Sequence, residues 1–436
     1  MVALLLATTV YSSIPVPFNV LLLTAAVLAY VLPPMTAQPK KQLNKIRGKA
    51  SDEDPTGRDL DPLPIRPFIT AYRGTMMIVT CLAILEVDFK VFPRRFAKVE
   101  TWGTSLMDMG VGSFVFSAGL VSARPVLKAR LTSKSSSLVS MMRASLRSSL
   151  PLLVLGFVRL YSVKGLDYAE HVTEYGVHWN FFFTLALLPP FVALCHPLPD
   201  TIRCYVLPSL LGFVYEFALD QTDLKAYILT APRVDLLSQN REGVFSFCGY
   251  LVIFLAGQAL GSDILPRKPD SANDSSTPWS KRAHILKRLI YWCLSWGAQY
   301  YLSAHYSRGS IFGLGLRTSR RLANLPYVEW VVSFNCGQLL VFCVTETLLF
   351  PGVYWARDKI TEKRRTTEAT SRVINAYNRN GLAIFLLANV LTGLVNMTVD
   401  TISMDQMGSI AILFVYASLL TAIAVALDSW NISIKM

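Results

Sequence analysis

The feature that most constrains this chain is a series of long apolar blocks that recurs from one end of the sequence to the other. Each block is roughly 17–20 residues long, the length of helix that crosses about 30 Å of hydrocarbon. Lipid offers a backbone no hydrogen-bond partners, so a spanning segment must satisfy its own N–H and C=O groups, as a helix does. The pattern predicts an all-α fold, a polytopic transmembrane helical bundle with about 12 membrane-spanning helices.

We place the apolar segments at residues 2–12 (a short one), 17–33, 74–92, 106–122, 149–163, 177–195, 203–219, 244–261, 284–303, 328–350, 381–398 and 408–428. No connection between them is large enough to form a soluble domain, so residues 1–436 are expected to form a single integral membrane domain. We expect flexible cytosolic loops at about 34–67, 123–148, 262–283 and 351–380.

The charges in the loops predict the orientation of the bundle. The four loops just named are rich in Lys and Arg and fall on one side if the segments alternate, which makes that side cytosolic. The net charge of +13 is therefore attributed to topology, and no nucleic acid partner is expected. Loop 304–327 and residues 93–98 are also basic but fall on the luminal side. Both become candidates for binding anionic headgroups.

Ionisable groups near the ends of membrane segments are candidates for chemistry, because burying them is costly. Glu86 and Asp88 end the third segment, and Pro93 and Lys98 follow. A buried carboxylate near a cation could serve as a general base. The spacing alone favours a structural ion pair that stabilises a turn at Pro93, since proline stops a helix.

Two further polar groups share a helical face if each lies on one continuous helix. His171, Glu174 and His178 could then bind a metal, hydrogen-bond a substrate or form a structural network, although their spacing matches no standard zinc motif. Asn389 and Asn396, with a threonine between them, could line a cavity or bond to neighbouring helices. The lone mid-segment charges Arg159 and Glu346 are expected to be paired structurally.

Several signatures of enzyme chemistry are absent from the sequence. It has no GxSxG elbow, no P-loop and no CxxC pair, and most of its seven cysteines lie within apolar blocks. No metal and no tightly bound cofactor is therefore expected.

The strings at residues 69–74, 87–89, 92–108, 110–117, 170–180, 240–243, 321–327 and 387–397 resemble, in order, those of the glycosylphosphatidylinositol (GPI) inositol acyltransferases of the PIG-W type. The run FPRRFAKVETWGTSLMD at 92–108 is long enough to be specific. The similarity covers nearly the whole chain, is expected to be to fungal members, and suggests that the first of the family's spans is missing.

The resemblance implies a multi-pass enzyme of the endoplasmic reticulum membrane. It would move a fatty acyl group, usually palmitoyl, from acyl-CoA as co-substrate to the inositol 2-hydroxyl of glucosaminyl-phosphatidylinositol. The family pattern implies Asp88 as the base and Lys98 as the residue that orients it or stabilises the oxyanion. Substrate binding is expected from Arg94, Arg95, Tyr72, Arg73, His171, Glu174, His178, Asn180, Asn240, Arg241, Arg320, Arg321, Asn324, Asn389 and Asn396.

A polytopic helical protein with polar faces could instead be a lipid transporter or scramblase. Transporters of this kind often contain inverted repeats and broken helices in matching halves. We find no internal repeat in this sequence, which favours the enzyme.

Overall fold

The computed structural model describes residues 1–31, 60–132, 137–164, 172–267, 278–304, 314–356 and 358–434, and these residues contain helices and no strands. In chain order the α-helices are α1 Val2–Thr8, α2 Pro15–Val31, α3 Pro67–Glu86, α4 Leu106–Leu131, α5 Leu138–Lys164, α6 Val172–Tyr175, α7 Phe181–Leu194, α8 Leu207–Gln221, α9 Leu224–Thr230, α10 Leu236–Gln239, α11 Arg241–Ile264, α12 Pro278–Ala304, α13 Leu325–Leu349, α14 Lys359–Glu368, α15 Arg372–Arg379, α16 Gly381–Thr398 and α17 Gln406–Ser429. Short turns of other helix types occur at Arg94–Phe96, Ile202–Val206 and Pro351–Trp355.

A helix occurs at each of the twelve predicted apolar segments. In the described part of the chain, eight helices are long and apolar enough to cross a membrane: α3, α4, α5, the continuous stretch Ile202–Gln221, α11, α13, α16 and α17. Helices α2 and α7 are apolar but shorter. The predicted fold class, a polytopic helical membrane protein, is confirmed.

Helices α4 and α11 pack against each other along a seam in which both helices place glycines at the points of contact. A methyl group added to Gly119 would meet the carbonyl oxygen of Phe254, and one added to Gly257 would meet the carbonyl oxygen of Phe116. Small residues allow such close approach between helix backbones, which replaces the hydrophobic driving force that lipid cannot supply. The seam forms the centre of the bundle.

Helix α3 connects two separate hydrophobic cores. Its first half, with Phe68 and Tyr72, packs in the first core, which α4, α11, α12 and α13 also line. Its second half, with Cys81 and Leu85, packs in the second core, with α1, α15, α16 and α17. The residues that follow the end of α3 therefore lie beside the second core, to which Phe89 belongs.

Two of the loops predicted to be flexible contain helices instead. Residues 123–131 continue α4, residues 138–148 begin α5, and residues 359–379 form α14 and α15. Capping and burial explain α14 and α15: the Asp358 side chain accepts a hydrogen bond from Thr361 N at 2.7 Å, and Ala376 and Tyr377 are buried in the second core.

The described ends of the other two loops are bound to each other. Arg66 Nη2 donates to the carbonyl oxygen of Pro266 at 3.2 Å, and Arg267 N donates to the carbonyl oxygen of Pro62 at 2.9 Å. Residues 32–59 and 268–277, which make up most of these loops, lie outside the described residues.

Candidate functional site

The candidate site lies at the end of the bundle where α3 ends and where α4, α7, α11 and α13 begin. Backbone bonds join the connecting segments there: Gly103 N donates to Thr318 O at 2.8 Å, and Val177 N donates to Gln239 O at 2.9 Å. The four segments thus meet on one side of the bundle, which the loop charges predict to be luminal.

Asp88 follows α3 and is half-buried. Its Oδ2 accepts a hydrogen bond from Nδ2 of Asn396 on α16, at 2.9 Å. Burial raises the pKa of Asp88 above its usual range, although the Asn396 bond and the nearby charge of Arg94 oppose the increase. Glu86, two residues earlier, is fully buried and accepts a bond from Thr8 of α1 at 2.9 Å.

Lys98 forms an ion pair with Glu174, with Nζ 2.7 Å from Oε1. The expectation that it would pair with Asp88 is wrong: in the described residues no ion pair within 4.0 Å joins the two. The chain is extended at Pro93 and again at Ala97, on either side of the short Arg94–Phe96 turn, and this path carries Lys98 to α6. The partner of Lys98 is therefore Glu174, which is distant in sequence, and not the nearby Asp88.

Glu174 also contacts Arg320, whose Nη1 lies 3.0 Å from Oε1. Burial by itself would raise the pKa of Glu174, but Arg320 and Lys98 outweigh it and hold the pKa at about 2. Glu174 therefore stays ionised at neutral pH. Its predicted role in binding substrate gives way, in this geometry, to a role in binding two cations.

Asp108, in the first turn of α4, is fully buried and binds three partners. Its Oδ1 accepts from Nε of Arg320 at 2.6 Å, while Oδ2 accepts from Ser105 Oγ at 2.6 Å and from Val99 N at 3.1 Å. Ser105 in turn caps α4. The spacing of Ser105 and Asp108 matches a helix-start pattern, which was the signal in the sequence that could have identified this pair.

Glu242, which lies in the string 240–243 but was not among the predicted site residues, is a second fully buried carboxylate, and three arginines surround it. Its oxygens lie 2.5 Å from Arg233, 2.9 Å from Arg321 and 3.7 Å from Arg241. Arg320 and Arg321, two of the arginines that break the positive-inside pattern, are thus paired with acidic partners on the same side. Arg241 and Arg321, predicted to bind substrate, are engaged within the protein.

Glu174 and His178 do not lie on one continuous helix, which is the condition under which they would share a helical face. Helix α6 ends at Tyr175 because Gly176 adopts a φ of +111°, and His171 lies outside the described residues. His178 lies beyond the helix, and its Nε2 is 3.2 Å from Oε1 of Gln239.

Asn180 and Asn240 hold the backbone around α7 in place. Asn240 Oδ1 accepts from the backbone N of His178 at 2.8 Å and from that of Trp179 at 2.9 Å. Asn180 caps α7 by accepting from Phe182 N at 3.0 Å. The side-chain contacts of both residues in the structure are therefore structural.

Four other predicted binding residues do not join this ionic cluster. Tyr72 lies about four turns before the end of α3 and donates to Asn335 Oδ1 at 2.6 Å, while Arg73 donates to Ser117 Oγ at 3.1 Å. Asn324 Oδ1 accepts from Ser319 N at 2.9 Å, and Asn389 donates to Phe385 O at 2.7 Å. These bonds join helices or fix local turns.

Arg94 and Arg95 remain on the surface of the candidate site. Arg94 donates to the carbonyl oxygen of Val87 at 2.9 Å, and Arg95 donates to that of Ser12 at 2.8 Å. Both side chains are exposed, and neither bond uses all the donors of a guanidinium. Both therefore stay accessible for the predicted binding of headgroups, unlike Arg320, which is buried.

The two mid-segment charges that were expected to be paired, Glu346 and Arg159, differ in the structure. Glu346 is paired as expected, with Arg282 Nη2 2.6 Å away and Phe68 N donating at 2.6 Å, at the opposite end of the bundle from Asp88. Arg159 is exposed and makes no ion pair within 4.0 Å to a described residue, so its expected pairing is not observed. In the described residues, no three His, Cys, Asp or Glu side chains are arranged to hold a metal ion.

Comparisons with known proteins cover the whole of this architecture. A family model described as GWT1 matches residues 1–427. GPI-anchored wall transfer protein 1 of Gibberella zeae is 56% identical over 443 residues, covering 100% of this chain and 87% of that protein. The protein of the same name from Aspergillus fumigatus is 52% identical over 440 residues, covering 99% and 86%, and that from Yarrowia lipolytica is 42% identical over 439 residues, covering 99% and 86%.

Proposed function

This chain belongs to the GWT1 family, and from that premise we propose that it is an acyltransferase of GPI-anchor biosynthesis. It moves a fatty acyl group, palmitoyl in the first instance, from acyl-CoA to the inositol 2-hydroxyl of glucosaminyl-phosphatidylinositol. The site of action is the endoplasmic reticulum membrane. The names of the relatives support a role in GPI anchoring, and the finer reaction rests on the site chemistry described above.

The observation that carries the proposal is the environment of Asp88. It is a half-buried carboxylate at a helix end, bound to a neutral amide, with a pKa raised by burial. A general base works best when its pKa approaches the working pH, and desolvation moves a carboxylate in that direction. Glu174 lacks this property, because Arg320 and Lys98 stabilise its charged form and hold its pKa at about 2.

In the proposed reaction Asp88 takes the proton of the inositol 2-hydroxyl while the oxygen of that hydroxyl attacks the thioester carbonyl of acyl-CoA. A C–O bond forms, the carbonyl oxygen becomes an oxyanion, and the C–S bond then breaks to release the CoA thiolate. The compact ammonium of Lys98 supplies the positive charge for the oxyanion. Arg94 and Arg95, exposed beside this point, suit the phosphates of lipid or CoA, because guanidinium groups match phosphate geometry.

The experiment that tests this function uses purified protein with radiolabelled acyl-CoA and glucosaminyl-phosphatidylinositol. We expect labelled acyl chains to appear on the inositol lipid and CoA to be released in equal amount. Movement of the lipid between leaflets without acyl transfer would overturn the enzyme and support a lipid transporter or scramblase.

A further inference from the structure

Lys98 belongs to a closed ring of contacts that crosses four separate parts of the chain. Its Nζ lies 2.7 Å from Glu174 Oε1, and Arg320 Nη1 lies 3.0 Å from the same oxygen. Arg320 Nε then binds Asp108 Oδ1 at 2.6 Å. Asp108 Oδ2 accepts from Val99 N at 3.1 Å, and Val99 is covalently joined to Lys98. The ring therefore fixes both the backbone and the ammonium of Lys98.

Burial within the ring changes steadily from one member to the next. The side chains of Asp108, Arg320, Glu174 and Lys98 are 0%, 5%, 18% and 41% exposed. The anchoring members are thus the more buried ones, and the most accessible member is the Lys98 side chain. This is the arrangement expected where supporting residues hold a reactive group in place.

The charges in the ring argue against the phosphate-binding role predicted for Arg320. Its two cations and two carboxylates cancel, so Arg320 has no uncompensated charge with which to hold the phosphate predicted for it. An ammonium has three N–H donors, and the contact with Glu174 uses one. The donors that remain can point towards a developing oxyanion.

We propose that Asp108, Arg320 and Glu174 are positioning residues that act through Lys98. This inference rests on the proposed function, since it assigns the ring to the orientation of the ammonium in the acyl-transfer site. Glu174 sets the direction of the ammonium, Arg320 fixes Glu174, and Asp108 fixes both Arg320 and the backbone at Val99.

The competing explanation is that the ring only clamps the loops together. A double-mutant cycle separates the two, because residues that act through one group have non-additive effects. The variants are Lys98→Ala, Glu174→Gln and the double variant, each assayed for kcat and KM per folded protein. The control is Glu368→Gln, the same substitution in an exposed ion pair with Arg364, on α14.

We expect Glu174→Gln to lower kcat by about 10²-fold with little change in KM, since displacing a catalytic group by about 1 Å can cost that much. In the Lys98→Ala background the same change should cost less than about 3-fold, because nothing remains to be positioned. The Glu368→Gln control should match the unsubstituted protein. Equal losses from Glu174→Gln in both backgrounds would overturn the positioning role.

A second measurement tests the contact between Lys98 and Glu174 by the chemical reactivity of the Lys98 amine, independently of enzyme activity. Purified full-length protein is treated briefly with a succinimidyl ester, and acylation of Lys98 is compared by mass spectrometry with that of Lys90, which is exposed. Glu174→Gln should raise the Lys98-to-Lys90 ratio several-fold, because the nitrogen is no longer held against a carboxylate. An unchanged ratio would overturn the ring even in active protein. Protein that shows the increase but transfers no acyl group would refute the proposed function and leave the ring intact.

Discussion

At the end of the bundle that holds the candidate site, two regions, here called corners, shift the pKa of a carboxylate in opposite directions. At the corner between α3 and α16, Asp88 is half-buried, binds the neutral amide of Asn396 and has a raised pKa. At the corner where α4, α6, α11 and α13 meet, Glu174 contacts Lys98 and Arg320, and its pKa falls to about 2. Both carboxyl groups are partly removed from water, so the partner decides the outcome.

The comparison separates residues that hold charge from residues that exchange protons. Glu174, Asp108 and Glu242 bind arginines, and such buried pairs fix geometry at the cost of reactivity. Asp88, whose pKa burial raises, is the carboxylate to which we assign the proton exchange. Neighbouring acids with divergent pKa values commonly divide catalytic labour in this way.

The largest expected effect comes from removing the proton acceptor at the first corner. Asp88→Asn keeps the size of the side chain and a partner for Asn396 but cannot act as a base. We expect kcat to fall about 10²–10⁴-fold with normal yields of folded protein. Acyl transfer by the purified variant checks this, with Asp220→Asn, at an exposed aspartate, as the control. Near-normal turnover would remove Asp88 from the reaction.

The second test contrasts Lys98 with the two exposed arginines near it. Lys98→Arg can keep an ion pair with Glu174 but replaces a compact ammonium by a planar fork, so we expect about 10²-fold loss of turnover. Arg94→Lys and Arg95→Lys should each retain a substantial part, because lysine can also donate to the carbonyl oxygens of Val87 and Ser12. An active Lys98→Arg beside two inactive arginine variants would reverse these roles.

The third test breaks the second corner without touching the first. Glu242→Gln leaves Arg233, Arg241 and Arg321 with no full negative charge between them. Breaking a buried pair from one side costs about 3–5 kcal/mol, so the thermal midpoint should fall clearly. Turnover per folded protein should change far less than in Asp88→Asn. A variant as stable as the parent would show that the cluster does not hold this corner together.

The smallest effect is expected from Asn396→Ala, and it is measured as the pH dependence of kcat/KM. Asp88 must be ionised to act, so kcat/KM should fall as pH drops through its raised pKa, above the ordinary value of about 3.9. The Asn396 bond lowers that pKa by stabilising the carboxylate. Its removal should therefore move the acid limb to higher pH, with less than about 10-fold loss at neutral pH. A limb that stays in place would assign the titration to another group.

The sequence located helices more reliably than contacts. Apolar block length depends on the thickness of the bilayer, and each of the twelve blocks contains a helix. The partner of a charge depends on helix packing, and Arg320 and Asp108 are 212 residues apart. A motif could indicate that both residues matter, but nothing in the linear pattern shows that they touch.

The predictions of loop structure failed for a related reason. A basic segment between spans was read as flexible because charge opposes burial, yet α14 and α15 are stabilised by a cap and by two buried side chains. The assumed face of His171, Glu174 and His178 failed at Gly176, whose positive φ ends the helix. A cap and tertiary burial decided the first case and a single glycine decided the second, and the average character of a segment shows neither.

The glycine seam between α4 and α11 has a consequence for how the chain is made. Gly119 and Gly257 are more than a hundred residues apart, so α4 is synthesised on the order of ten seconds before its partner. During that interval the small-residue face of α4 has no matching helix, and α5, α7 and α8 enter the membrane first. The bundle centre therefore cannot form until α11 has been made, and a substitution at either glycine would act during assembly, before any substrate is met.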